Sequence, residues 1–372
     1  MRLYDTARRE VVDFTPGPIV TLYTCGITPY DSSHLGHAAV YLAYDVLQRR
    51  LRDRGHETRC VRNVTDVDDD ILRKARELGV HYLDLAAAEM AKFDADMAAL
   101  EIVPCWSEPR ATSAIADIRG FIGMVLDQGY AYESGGAVYF DVGSFDRFGQ
   151  VSHLSREEML ALAAERGGNP DDPNKRDPLD FVLWQPSADD EPAWESLWGP
   201  GRPGWHIECS ALALRELDTT IDLHGGGADL IFPHHECEAA QSEAATGQPF
   251  VRHWMHQAMV RMDGEKMSKS LGNLVFVHDL LEHHDARAVR LAVVAHHYRD
   301  SWEWDDTVMP AASARLARWL GAGEGAGALA EVRAALDDDL DTPAAVAAID
   351  AAAAAGEGVS QAAALLGVRT GA

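Results

Sequence analysis

Patterns typical of buried strands and amphipathic helices alternate over the first hundred residues of the chain. Apolar residues dominate 19–23, which predicts a buried strand, and 56–63 are interpreted as a second strand. Residues 38–54 and 69–77 instead repeat apolar positions at helical spacing, with polar residues on the opposite face. A strand, a helix and a second strand in this order predict a parallel α/β sheet of the Rossmann-like kind.

Further helices are predicted at 82–100 and 111–128, followed by a hairpin at 131–145 that turns at a Gly-Gly pair. Residues 146–204 are polar and rich in glycine and proline, and we interpret them as an insertion. The α/β pattern resumes with a helix at 209–216 and a strand within 219–230. The chain turns helical after 262–273 and becomes rich in alanine beyond 321.

The composition limits which kinds of protein and substrate fit this chain. The 372 residues are 47% hydrophobic, with 33 basic against 59 acidic residues and a net charge of −26. This acidity favours small-molecule substrates over nucleic acid. No apolar run reaches the roughly 20 residues that cross a bilayer, and no signal peptide is recognisable, so we expect a cytoplasmic protein without a membrane segment. The five scattered cysteines are then free thiols or metal ligands.

The segment HLGH, residues 34–37, lies where a strand and loop lead into a helix. Helix N-termini attract phosphate, Gly36 permits close backbone approach, and the imidazoles of His34 and His37 can donate hydrogen bonds to phosphate oxygens. So short a motif also fits one surface histidine and one core histidine.

The segment DGEKMSKSLGN, residues 263–273, places Lys266 and Lys269 beside glycines and hydroxyl side chains. A mobile loop of this kind can close over a triphosphate and stabilise a leaving pyrophosphate, although a solvated basic loop would look similar. Together and in this order, the two segments resemble the catalytic core of class I aminoacyl-tRNA synthetases. That resemblance implies a Rossmann-like core, ATP as co-substrate with Mg²⁺, and catalytic roles for His34, His37, Lys266 and Lys269.

On this interpretation the chain divides into five parts. Residues 1–115 and 205–260 form the two halves of the catalytic core, and 116–204 form an inserted connective subdomain. Residues 261–305 hold the KMSKS loop and stem region, and 306–372 form a C-terminal helical region.

A second constellation has the residue types of a metal site: Cys25, Cys209, His234 and Glu238. If 232–238 are helical, His234 and Glu238 share one face, and two thiolates with an imidazole favour zinc. Cys237 would share that face too, and the residues alone leave the fourth ligand open. The pattern resembles the site of cysteinyl-tRNA synthetases and their relatives, which implies one Zn²⁺ per subunit that binds the substrate thiolate, with Glu238 as fourth ligand. His235 is expected to lie next to the metal ligands or the substrate.

Ligands of open α/β sheets bind at the carboxyl ends of the strands. Resemblance and position together predict that the substrate and its adenylate contact a set of residues near those ends. They are Cys25, Gly26, Ile27, Thr28, Val40, Asn63, Val64, Thr65, Trp205, Gly227, Ala228, Asp229 and Val260.

The resemblance extends over roughly 1–350 and fits two groups, the cysteinyl-tRNA synthetases and the mycothiol ligases. Residues 25–31 (CGITPYD), the Ala38–Ala39 pair and the hexapeptide ERGGNP at 165–170 resemble the ligases. The last 62 residues hold four arginines, no lysine and eight acidic residues, which is unsuited to tRNA. This resemblance implies L-cysteine, ATP and glucosaminyl-inositol as substrates, no tRNA partner, and a monomer.

Other features resemble the tRNA-charging group. Glu238, RNVTDVDDDIL at 62–72 and the AVYFDV hairpin are synthetase-like, and Val40 stands where the ligases carry a threonine. The alternatives are therefore a cysteinyl-tRNA synthetase, a ligase for another small amine, or a non-catalytic paralogue.

Overall fold

The computed structural model describes residues 1–267 and 272–371. Its strands are β1 (Arg2–Asp5), β2 (Glu10–Asp13), β3 (Ile19–Ile27), β4 (Glu57–Val64), β5 (Ala131–Ser134), β6 (Ala137–Phe140), β7 (Phe181–Pro186), β8 (Gly201–Pro203), β9 (Leu223–Gly227), β10 (Trp254–Gln257), β11 (Val260–Met262), β12 (Glu265–Lys266) and β13 (Trp302–Glu303). Its α-helices are α1 (Leu35–Asp53), α2 (Asp69–Leu78), α3 (Tyr82–Ala99), α4 (Ile115–Asp127), α5 (Arg156–Glu165), α6 (Trp205–Leu217), α7 (Glu236–Thr246), α8 (Val277–His283), α9 (Ala286–Val294), α10 (Val308–Ala322), α11 (Leu329–Asp337), α12 (Thr342–Ala354) and α13 (Ser360–Leu365).

A parallel sheet with the strand order β10-β9-β3-β4 forms the centre of the molecule. The predicted parallel α/β sheet is thereby confirmed, and its first two strands and connecting helix lie close to where the apolar pattern placed them. Strand β3 runs four residues further than predicted, to Ile27. This extension depends on Gly26, because a Cβ there would lie 1.5 Å from the carbonyl oxygen of Asn63 on β4.

Strands β5 to β8 form a separate antiparallel sheet that interrupts the parallel one. Its first hairpin turns at Gly135 and Gly136, as the sequence predicts. Helix α5 and its flanking loops lie between β6 and β7 in the chain. The insertion is therefore a small sheet whose apolar residues, Phe140 and Trp184 among them, share one cluster with residues of β3, α6 and α7.

The C-terminal part of the described chain is helical, from α8 onwards, apart from β13. It is joined to the parallel sheet through a buried ion pair in which Arg290 on α9 donates to Asp45 on α1. Arg290 also donates to the carbonyl of Leu366, just after α13, at 2.6 Å. One apolar core therefore extends from α1 to the last helices. No helix among the described residues is long and apolar enough to cross a membrane.

Candidate functional site

Four buried side chains, Cys25, Cys209, His234 and Glu238, converge at one end of the parallel sheet. One ligand atom from each lies within 4.8 Å of the others. Two sulfurs, one imidazole and one carboxylate make a donor set that suits tetrahedral Zn²⁺. The residues therefore fit the metal that the sequence predicts, and zinc remains a proposal.

Three separate elements position these four residues. Cys25 lies on β3 at a shift in its pairing with β4, between Thr24 and Ile27. Cys209 lies in the second turn of α6. His234 Nε2 lies 2.9 Å from Glu238 Oε1, so the predicted pairing of residues four apart is present.

Residues 232–238, for which the sequence analysis considered a helix, are only partly helical. Phe232 is extended, with φ −138° and ψ 135°, Ile231–His235 is a distorted turn, and α7 begins at Glu236. Proline cannot continue a helical hydrogen-bond pattern, and Pro233 lies in this turn. The segment is therefore not one continuous helix, but His234 and Glu238 still share one face.

Cys237 faces away from the four converging residues. Its side chain lines a small cavity against the insertion, together with Phe148, His206 and Phe232. Burial is the first cause that raises the pKa of this thiol well above its usual value. Of the two candidates for the fourth ligand, the geometry favours Glu238.

A chain of imidazoles surrounds the cluster. His224 Nε2 lies 2.9 Å from Glu238 Oε2, and His235 Nε2 lies 3.3 Å from Cys25 Sγ. His235 Nδ1 in turn lies 2.7 Å from His256 Nε2. His224 and His235, with Cys25 and Glu238, make a second overlapping set of potential ligands. The set that contains both sulfurs is the better match to zinc, because thiolate is a preferred ligand for it.

Electrostatics inside the cluster favour the charged forms of Cys209 and Glu238. The pKa of Cys209 is lowered to about 6, first by a hydrogen bond from Cys25, whose own pKa is raised first by burial. Burial opposes ionisation of Glu238, yet the neighbouring His224 and His234 outweigh it and lower the pKa to about 2. A buried carboxylate and a thiol that ionises readily are the forms that a metal ion binds.

The HLGH segment opens α1 as predicted. His34 is the N-cap residue, and its ring stacks on that of His37 with centroids 3.7 Å apart. Gly36 lies against this stack, because a Cβ there would meet the His34 ring at 3.0 Å. The N-terminus of a nineteen-residue helix is thus flanked by two half-buried imidazoles, an arrangement suited to phosphate.

The second segment that the sequence analysis assigned to phosphate, 263–273, includes β12, where Lys266 is exposed. Lys269 lies outside the described residues. Downstream, Asn273 Nδ2 donates to the Lys266 carbonyl at 3.2 Å, and Leu35 N donates to Val275 O at 2.8 Å. Both flanks of the loop therefore lie close to the start of α1.

The predicted substrate residues fall into two groups along the sheet. Asn63 on β4 accepts a hydrogen bond from Gly26 N at 2.8 Å and donates to Thr65 Oγ1 at 3.1 Å. Thr28 donates to Asp68 Oδ2 at 2.9 Å. Ile27 and Val64 are buried and paired across β3 and β4. These residues form one wall beside Cys25.

The other group lies at the end of β9. Gly227 is its last residue, Ala228 and Asp229 begin a short 3₁₀ helix, and Val40 on α1 lies beside Gly227. Trp205 stacks on His234 with ring centroids 4.2 Å apart, so it flanks the four converging residues. Val260 is buried at the start of β11 and is paired with Trp302.

The sequence analysis missed several residues of the site, among them Arg166 and Glu208. Arg166, in the ERGGNP hexapeptide, donates to the carbonyls of Asp229 and Phe232 and so joins the insertion to both site loops. Glu208 is fully buried next to Cys209, near Thr65, Asp66 and Asp68, and burial raises its pKa well above the usual value. Glu208 directly precedes Cys209 in the chain, but its position alone did not separate it from core residues.

Comparison with known proteins gives consistent matches. Residues 13–314 match the family model described as tRNA synthetases class I (C) catalytic domain. A relative from Nocardiopsis dassonvillei, named L-cysteine:1D-myo-inositol 2-amino-2-deoxy-alpha-D-glucopyranoside ligase, is 51% identical over 94% of this chain and 88% of its own length. A relative of the same name from Thermobispora bispora is 49% identical over 95% of this chain and 90% of its own length.

Solved structures show the same fold at much lower identity. Methionyl-tRNA synthetase of Mycobacterium tuberculosis, in complex with methionyl-adenylate, superposes with a TM-score of 0.69 and 18% identity over 90% of this chain and 82% of its own. A putative arginyl-tRNA synthetase from Campylobacter jejuni gives a TM-score of 0.60 at 11% identity, over 94% of this chain and 93% of its own. The predicted Rossmann-like core is therefore confirmed as a fold shared with these synthetases.

Proposed function

The chain belongs to the family of class I (C) tRNA synthetase catalytic domains, and from that premise we propose that it is an ATP-dependent ligase for L-cysteine. The acceptor is the amine of glucosaminyl-inositol, the sugar amine used in mycothiol synthesis. One observation carries the proposal: relatives that bear this ligase's name are 48–51% identical over at least 94% of the chain.

The first step is the activation of cysteine. The carboxylate of cysteine attacks the α-phosphorus of ATP, the bond to the β-phosphate breaks, and pyrophosphate leaves with its Mg²⁺. His34 and His37 at the start of α1, with Lys266 and Lys269, stabilise the charge on the departing phosphates. Positioning and charge stabilisation are sufficient for this chemistry, so no protein nucleophile is needed.

The four buried residues of the cluster would select cysteine over other amino acids. Cys25, Cys209, His234 and Glu238 would hold one Zn²⁺, and the bound metal would supply a site that prefers the substrate thiolate to a serine hydroxyl. Trp205, stacked on His234, would close one side of that site. Asn63, Thr65 and Thr28 would line the other side, next to the substrate's amino and carboxylate groups.

The second step joins the activated cysteine to the acceptor. The sugar amine attacks the carbonyl carbon of the adenylate, the bond to the phosphate oxygen breaks, and AMP leaves. Gly227, Ala228, Asp229 and Val40 line the proposed adenylate side. Arg166 contacts the same loop from the ERGGNP segment, which makes that segment the candidate for contact with the acceptor.

The test offers two acceptors to one preparation of activated enzyme. Purified protein with zinc, ATP and L-cysteine receives either glucosaminyl-inositol or cysteine tRNA, and AMP and the coupled product are measured. We expect a cysteinyl sugar amine and AMP with the first acceptor and background AMP with the second. Charged tRNA without a sugar product would instead assign the chain to the tRNA-charging group, and pyrophosphate exchange without transfer to either would indicate another amine. A monomer in the cytoplasm remains part of the proposal.

A further inference from the structure

The loop between β3 and α1 is held by carboxylates on or next to the helix pair α2 and α3. Three hydroxyl side chains of the loop donate to them: Thr28 to Asp68 at 2.9 Å, Ser32 to Glu89 at 3.4 Å and Ser33 to Asp96 at 2.6 Å. The Ser33–Asp96 bond is the shortest of the three, and only 2% of Ser33 and 4% of Asp96 is exposed. This bond therefore attaches the loop to α3 in a place that water barely reaches.

Ser33 is the point at which three segments of the chain meet. Its side chain is bonded to Asp96 on α3, and its carbonyl accepts a hydrogen bond at 3.1 Å from the amide of Val277, the first residue of α8. The residue that follows it, His34, is the N-cap of α1. Helix α3 is thus attached through one residue both to the start of α1 and to the segment that follows the KMSKS sequence.

Loss of the Asp96 carboxylate would leave the Ser33 hydroxyl buried without this acceptor. An unsatisfied buried hydroxyl is costly, so residue 33 would turn or shift toward another acceptor or toward water. His34 is covalently joined to residue 33, and Val277 is bonded to its carbonyl. Such a shift would therefore displace the first imidazole of HLGH and the flank of the KMSKS sequence together.

We propose that Asp96 is a positioning residue for the phosphate site: through Ser33 it fixes where the start of α1 lies relative to residues 273–277. The inference rests on the proposed function, because that function is what assigns phosphate to these two segments. Asp96 acts through Ser33 and not on ATP itself, because its carboxyl is buried beneath the loop and bonded to the Ser33 hydroxyl.

The test measures cysteine-dependent pyrophosphate exchange in full-length, zinc-loaded protein, with kcat and the KM of each substrate. In Asp96→Ala we expect kcat to fall about tenfold or more and the KM for ATP to rise, since small displacements of stabilising groups are costly. The KM for cysteine and the zinc content should stay as in the parent, because Cys25, Cys209, His234 and Glu238 do not contact Asp96. A purely structural role would lower the yield of folded protein without separating the two KM values.

Three further variants make the assignment specific. Asp96→Asn keeps an oxygen that can accept the bond from Ser33, and it should retain most of the parent rate. Asp94→Ala is the matched control, because it removes an exposed carboxyl from the same helix. Ser33→Ala breaks the same bond from its other side and serves if Asp96→Ala folds poorly. The double variant should be no slower than the slower single variant, because the two changes remove one shared interaction.

Equilibrium binding of ATP keeps this inference apart from the proposed function, since it requires no amino acid. A parent protein that binds ATP but shows no cysteine-dependent exchange would count against the proposed function alone. Weaker ATP binding in Asp96→Ala than in Asp94→Ala would then still support the positioning role, and equal binding would overturn it. In an active parent, rate losses that add up in the double variant, or an equal rise in the KM of both substrates, would overturn it as well.

Discussion

The backbone of His34 pairs with that of Phe276 in an antiparallel bridge. Hydrogen bonds from Leu35 N to Val275 O at 2.8 Å and from Val277 N to Ser33 O at 3.1 Å flank this bridge. The loop that opens α1 and the segment that follows the KMSKS sequence are thus joined directly. The two motifs that the sequence analysis assigned to phosphate are neighbours in the fold, although more than 200 residues separate them in the chain.

Gly36→Ala should disturb catalysis more than stability. The new Cβ would meet the His34 ring at 3.0 Å, so the imidazole must shift from its place above His37. We expect the rate of cysteine-dependent pyrophosphate exchange to fall about tenfold or more, since small displacements of stabilising groups are costly. Gly123→Ala is the matched control, because a Cβ in that helix meets open space. An unchanged exchange rate in Gly36→Ala would argue against a role for the His34 position.

Cys209→Ser should remove both the metal and the activation of cysteine. A serine hydroxyl is a far weaker zinc ligand than a thiolate, and the remaining three groups leave the donor set incomplete. The measurements are zinc per chain and pyrophosphate exchange with cysteine. Cys237→Ser is the control and should keep both, since that thiol faces the insertion. Full zinc content in Cys209→Ser would refute the proposed ligand set.

Asp45→Ala should be among the more destabilising substitutions outside the site. It leaves the Arg290 guanidinium buried without its carboxylate partner, and breaking a buried pair in this way costs about 3–5 kcal/mol. The free energy of unfolding from urea titration measures the effect. Arg73→Gln is the control, because the Arg73–Asp70 pair is exposed, and exposed pairs contribute roughly 0–1 kcal/mol. Equal losses in the two variants would contradict the buried-pair argument.

Asp68→Asn should change how stability depends on pH. Burial is the first cause that raises the pKa of Asp68 from 3.8 to about 6, against the hydrogen bonds from Ile71 N and Thr28. The folded state therefore holds the proton more tightly than the unfolded state, and stability contributed by this group declines as pH rises from about 4 to about 6. Asp68→Asn should remove that decline, which amounts to a loss on the order of 1–3 kcal/mol in the free energy of unfolding.

Urea titrations of both proteins at intervals between pH 4 and pH 7 measure this difference. Asp84→Asn, which removes an exposed carboxyl on α3, is the control because it keeps the Asp68 carboxyl and its neighbours. Parallel stability curves for the parent and Asp68→Asn would show that the Asp68 carboxyl does not titrate in this window.

Much of the fold follows from periodicity, because long apolar repeats mark helices and strands whatever surrounds them. The helices that became α1 and α3 were predicted within a few residues of their observed bounds. The start of α7 was not predicted. The extended backbone of Phe232 delays it, and that backbone depends on tertiary packing and on the proline that follows.

The site likewise contains residues that were predicted from the sequence and residues that were not. Cys25, Cys209, His234 and Glu238 were chosen from residue types and resemblance, and the structure brings them together. The imidazoles of His224 and His256 were not chosen, because each stands alone in its own strand and only the sheet aligns them. The contacts of Arg166 are equally invisible in sequence, since the insertion folds back onto loops 63 and 66 residues away.

The insertion has a consequence for how the chain is made. Strand β3 pairs on one side with β4 and on the other with β9, and the Thr21 amide donates to Asp222 across a separation of 201 residues. At the usual pace of synthesis, about 5–20 residues per second, roughly 10–40 s pass between the two strands. Throughout that interval β3 presents an unpaired edge, which is the feature through which strands of different chains join. The N-terminal half of the core thus leaves the ribosome with one edge of β3 unpaired. That edge is covered only when β9 has been synthesised after the insertion.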